Sequence, residues 1–167
     1  MNKIKITSAV MRSLSFLSFI ITLVCLPIFL LYALSSSEEY KMLFLIIPAQ
    51  LSLGAKLIAV LPFSVALLGA TFIAYFSYKF FSYLAQGELF TARVVDTLKK
   101  AGYFYLAGII LYSILCLSIN YFCPELSAQI HLQFKPEIAD VVNFIAPLLV
   151  ILGAWVLDEA RKLKAMA

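Results

Sequence analysis

Polar and hydrophobic positions along this chain separate into long blocks. Uncharged stretches run from Ser13 to Ser37, Leu57 to Tyr78, Ala101 to Pro124 and Val141 to Leu157, each bounded by Lys, Arg, Asp or Glu. A helix rises about 1.5 Å per residue, so roughly 17 to 25 apolar residues cross about 30 Å of hydrocarbon. All four stretches meet that length, the last only just. A fifth run, Met42 to Ala55, contains Pro48 and Gly54 and is too short to span, so it is placed at the interface. The pattern predicts an all-α membrane protein with four transmembrane helices in two hairpins. Residues 1–167 form a single membrane domain, with spans at about 13–34, 57–80, 102–122 and 141–158.

Lys3, Lys5 and Arg12 precede the first run, as they would in a signal peptide. The run is longer than an h-region of roughly 7 to 15 residues, and Ala33-Leu34-Ser35 is a weak cleavage signal. An uncleaved first helix is expected. Between the third and fourth runs, Ile130, Leu132 and Phe134 alternate with His131, Gln133 and Lys135. Period-two alternation predicts a half-buried strand. Pairing with Gln50 to Leu53 would give a small two-stranded extracytoplasmic cap.

Inside the second run, Ala66, Ala70 and Ala74 recur every fourth residue beside Gly69 and Thr71. Helices in lipid associate through close packing of such small residues. The second helix is therefore expected at the centre, with Gly153 and Ala154 of the fourth as packing partners. Pro27, Pro62 and Pro147 each interrupt a span and are expected to kink it.

The chain is 63% hydrophobic and 13% charged, far from the roughly 25% charged residues of soluble domains. Four spans put both termini and the Gly87 loop on one side, with ten of the thirteen Lys and Arg residues. Basic residues near span ends stay in the cytoplasm, so both termini are expected there. The net charge of +4 then follows from topology and does not call for direct nucleic-acid binding.

Several chemistries lack their residues. The four uncharged runs contain no His, so the intramembrane relay of an ion-coupled carrier is missing. Asn120 and Asn143 lie near the outer ends of their spans and are read as hydrogen-bonding residues. His131 is the single histidine, the three cysteines form no CxxC motif, and Glu38-Glu39 and Asp158-Glu159 are adjacent pairs that point to different faces. No catalytic, metal or cofactor residues are assigned, and the chain is expected not to be an enzyme.

What remains is the polar stretch from Gly87 to Phe104. Gly87 is expected to break the second helix and Thr91 to cap the next. Val94, Leu98 and Ala101 then share one face, while Arg93, Asp96 and Lys100 share another, with Asp96 and Lys100 at i,i+4. The segment is expected to be a short amphipathic turn on the inner leaflet, leading into the third span at Gly102. The sequence Asp158-Glu159-Ala160-Arg161-Lys162-Leu163-Lys164 continues the fourth helix on the same side. Anchoring on anionic headgroups and docking of a partner both fit this surface. For docking, the contact residues are Phe90, Arg93, Lys99, Lys100, Arg161 and Lys162.

The same residues carry a family resemblance. Gly87-Glu88-Leu89-Phe90-Thr91, Leu98-Lys99-Lys100-Ala101-Gly102 and Trp155-Val156-Leu157-Asp158-Glu159-Ala160-Arg161-Lys162-Leu163 resemble the bacterial membrane family called domain of unknown function 2975. The resemblance implies a four-helix inner-membrane protein with an extracytoplasmic cap. It also implies control of a small helix-turn-helix regulator of the Cro/C1 type, since such regulators often neighbour the family. The expected function is a non-enzymatic inner-membrane docking protein in contact with lipids. The alternatives are a homo-oligomeric pore or accessory transport subunit, and binding of a lipid or hydrophobic ligand between kinked helices.

Overall fold

The computed structural model describes residues 2–35, 40–42, 45–47, 50–130 and 138–166, with side chains placed for 4–35, 50–130 and 143–166. Its elements are α1 (Asn2–Ser35), β1 (Tyr40–Met42), β2 (Leu45–Ile47), α2 (Leu53–Ala85), α3 (Ala92–Phe122), α4 (Pro124–Gln129) and α5 (Ile138–Met166). Helices α1, α2, α3 and α5 are long and apolar enough to cross a membrane. Pro27, Pro62 and Pro147 all lie inside these helices, as expected.

The helices run past the uncharged stretches that define the spans. Helix α2 has 33 residues, about 50 Å at 1.5 Å per residue. Likewise, α3 starts at Ala92 and continues unbroken to Phe122. The amphipathic turn expected to lead into the third span at Gly102 is thus continuous with that span, as the first turns of the third long helix. Once Thr91 has capped it, nothing between Arg93 and Gly102 stops the backbone ladder, and charged residues propagate a helix as well as apolar ones do.

The cap across the two external loops is not supported. Gln50 lies in a turn, Ser52 caps α2 by accepting from Ala55 N at 3.3 Å, and Leu53 is already helical. Ile130 ends α4 and is fully buried, while His131 to Lys135 lie outside the described residues. The strands that are described, β1 and β2, pair antiparallel with each other inside one loop. Pro124 at the start of α4, followed by Glu125 in the first turn, is a helix-start signal that the alternating pattern concealed.

The long helices pack in sequence: α1 on α2, α2 on α3, and α3 on α5. Aromatic pairs line the first contact, with ring centroids 5.4 Å apart for Phe16 and Tyr78 and 5.7 Å for Phe19 and Tyr75. At the second, Phe104 of α3 lies 5.0 Å from Phe72 and 5.4 Å from Phe76. There the backbones also approach closely, since a Cβ on Gly108 would sit 3.8 Å from Gly69 Cα. Helix α2 thus has a neighbour on each side, as its small residues predicted.

The partner assigned to the alanine stripe must be corrected. Among the described residues, helix α5 packs chiefly on α3. Ala154 is buried, but Gly153 faces open space. The crossing point is Gly102, where an added Cβ would lie 2.5 Å from Ile151 Cγ1 and 3.3 Å from both Ile151 N and Pro147 O. At the end opposite the Gly87 turn, Phe29, Ala33, Ala59, Val60, Cys116, Ile119 and Ile130 form one buried cluster. Ser127 of α4 donates to Asn120 Oδ1 beside it.

Candidate docking surface

The surface is organised by the turn between α2 and α3. Gln86 ends α2, and Gly87 follows with φ +88°, a left-handed conformation that glycine adopts without steric penalty. Gly87 N donates to Leu84 O and Glu88 N to Tyr83 O, both at 3.0 Å, so the last carbonyls of α2 are satisfied by a Schellman-type stop. Thr91 then accepts from Val94 N at 3.4 Å and donates to Glu88 Oε2 at 3.2 Å. Both helix-boundary residues read from the sequence take the expected roles.

Chain segments far apart in sequence converge on this turn. From α1, the Lys5 side chain approaches Gly87: Cε lies 3.7 Å and Nζ 4.0 Å from where a Cβ would be. From α5, Lys164 Nζ lies 5.7 Å from the centroid of the Phe90 ring, within range of a cation–π contact. Behind it, Lys99 Nζ on α3 reaches Asp158 Oδ2 on α5 at 3.1 Å. Arg161 also binds Asp158, at 2.8 Å, and Lys162 sits 2.7 Å from Glu159. Asp158 therefore joins two helices, and its side chain keeps only 16% of its exposure.

The proposed contact residues divide between two roles. Lys99, Arg161 and Lys162 meet around Asp158 and Glu159. Lys100 pairs with Asp96 at 2.8 Å, as the i,i+4 spacing predicted, and Arg93 is exposed in the first turn of α3. Phe90 stays 43% exposed and Leu89 39%. Sequence reasoning missed Lys5 and Lys164 as neighbours of the turn, because only the register of α1 and α5 brings them there. The Asp158–Arg161 pair was readable from its i,i+3 spacing, whereas Lys99 and Asp158 are 59 residues apart.

The clasp at Asp158 is testable. Asp158→Asn should loosen the end of α5, because the carboxylate is the acceptor that Lys99 and Arg161 share. Trypsin cleavage after Arg161 and Lys162 should then be faster in detergent, because cleavage follows the population of the opened helix end. An unchanged rate would show that the clasp does not hold α5.

A second concavity lies within the long helices. A groove of about 750 Å³ is lined by Ala66, Gly69, Ala70 and Ala74 of α2, Gly108 of α3 and Asn143 of α5, among others. The alanine stripe thus forms a groove wall: Ala66 is exposed, Ala70 half-buried and Ala74 buried.

No family model matches the chain, and neither curated proteins nor solved structures contain a match.

Proposed function

We propose that this protein is a non-enzymatic, multi-pass protein of the bacterial inner membrane, with cytoplasmic termini and a surface around the Gly87 turn that docks a soluble partner. The observation that carries the reading is the convergence of Lys5, Phe90 and Lys164 from three parts of the chain onto one capped turn. Such a surface is held by the bundle, so a partner can bind it with little ordering penalty. The family resemblance supports a small helix-turn-helix regulator as the partner, kept at the membrane. The crowding of Lys and Arg at this end supports the orientation.

The test is photo-crosslinking in cells from p-benzoylphenylalanine placed at Phe90, with mass spectrometry of the adducts. The expected product is a soluble DNA-binding protein. Adducts of lipid alone, or of the protein with itself, would remove the docking reading.

The groove favours a second reading, the binding of a lipid or other hydrophobic ligand. Its walls combine small apolar side chains with a few polar ones, Ser15, Ser18, Ser77 and Asn143 among them, a pattern suited to an apolar ligand that carries polar groups. Native mass spectrometry should then find a bound lipid in the wild type that is lost in Ala70→Phe. Retention by that variant would exclude the groove as the site.

A further inference from the structure

The positive charges at the polar end lie at two depths. Arg12 and Lys79 directly flank uncharged runs, and Lys99 and Lys100 adjoin the start of another. These four fall within a headgroup layer of roughly 5–8 Å. Lys5 lies eight residues before Ser13, Arg93 eight before Ala101 and Lys164 seven after Leu157. At about 1.5 Å per residue they stand about 10–12 Å beyond the hydrocarbon edge. The turn carrying Leu89 and Phe90 is at a similar distance, because α2 continues seven residues past Tyr78 before it stops at Ala85.

Three of the four carboxylates at this end are engaged in ion pairs. Asp96 pairs with Lys100, Asp158 with Lys99 and Arg161, and Glu159 with Lys162, while Glu88 accepts from Thr91. Lys5 and Arg93 carry no ion pair among the described residues, and Lys164 rests on an aromatic ring. This tier therefore sets the charges of Lys5, Arg93 and Lys164 against one carboxylate without an ion pair among the described residues, Glu88, around an exposed apolar pair, Leu89 and Phe90. Anionic headgroups do not reach that depth. Opposite charge from a soluble chain does, and complementary charge sets the on-rate and register of such an encounter.

We infer that Lys5, Arg93 and Lys164, with Leu89 and Phe90 between them, form the recognition site for an acidic segment of a soluble protein that presents an apolar or aromatic side chain to the Leu89–Phe90 pair. This inference rests on the docking reading and adds to it the chemistry of the partner.

The test compares crosslinking from p-benzoylphenylalanine at Phe90 in three backgrounds: otherwise wild type, Lys5→Gln/Arg93→Gln/Lys164→Gln, and Arg12→Gln/Lys79→Gln. Membrane insertion is verified for each with a topology reporter. If the triple variant inserts poorly, the single Lys5→Gln and Arg93→Gln variants take its place. The expected result is an adduct on an acidic peptide of the partner. Its yield should fall about tenfold in the triple variant, equivalent to three exposed charge contacts, and hold in the double variant. A soluble partner captured through a non-acidic peptide, with equal yield in all backgrounds, overturns the inference and leaves docking standing. Adducts of anionic lipid alone overturn both.

Discussion

Replacing Gly102 by Leu should detach α5 from α3. An added Cβ alone would lie 2.5 Å from Ile151 Cγ1 and 3.3 Å from two backbone atoms of α5. Ile151 is itself buried, so its side chain has little room to yield, and the helices can only move apart. Overpacking of this kind typically costs about 1–3 kcal/mol, and more where backbones must separate. For a chain of this size that corresponds to a fall of about 5 °C or more in the thermal midpoint in mild detergent. The gap should affect function as well, because Lys99–Asp158 and Phe90–Lys164 both depend on the position of α5. Crosslinking from Phe90 should weaken along with the midpoint. A partial recovery is expected for Gly102→Ala combined with Ile151→Ala, which removes the Cγ1 that the new Cβ would meet. A Gly102→Leu protein as stable as wild type would falsify this account of the crossing.

The other large effect is expected at the opposite end of the molecule. Ile130 is fully buried among Phe29, Ala33, Ala59, Val60, Cys116 and Ile119, contributed by the three long helices α1, α2 and α3. It closes that cluster from the end of α4, where packing and exclusion of water act together. Ile130→Ala should cost about 2–4 kcal/mol, the range for deleting a buried branched side chain and leaving a cavity. Ile130→Leu, of equal volume, should cost less than about 1.5 kcal/mol. Thermal unfolding followed by maleimide labelling of Cys116 in a Cys25→Ser/Cys123→Ser background reports the same event, because that thiol is buried in the intact cluster while the other two are not. Similar midpoints for the Ala and Leu variants would mean that α4 does not seal the core.

These two sites mark the boundary of what the sequence discloses. Four apolar stretches announce four helices, and Gly87 and Thr91 announce where one stops and the next starts, because backbone conformation and capping are local properties. The Asp96–Lys100 pair is local in the same sense. Gly102 was read only as the point where the third span begins. A glycine says that something can come close, but not which helix does, and Ile151 and Pro147 are nearly fifty positions away. The same ambiguity holds for the Ala66, Ala70, Ala74 stripe, whose spacing does not say which helix it meets; these residues also line a groove. Ile130 was assigned to the inward face of a strand; it is buried, but at the end of a helix, since burial and element type are separate pieces of information.

The candidate site divides along the same line. Phe90, Arg93 and Lys100 were legible as polar-face or turn residues and remain exposed. Arg161 and Lys162 pair at i,i+3 within α5, whereas Lys99 reaches Asp158 only through the way α3 and α5 cross. No sequence periodicity specifies that crossing.

The packing order also has a consequence for how the molecule is made. Helix α5 rests mainly on α3, and chains emerge with the N-terminal part first. The first three long helices can therefore assemble in the bilayer while α5 is still being translated. Until α5 arrives, Lys99 has no Asp158 and Phe90 has no Lys164. On the docking proposal, recognition competence is then the last property the nascent chain acquires, and a truncated translation product would insert without competing for a partner.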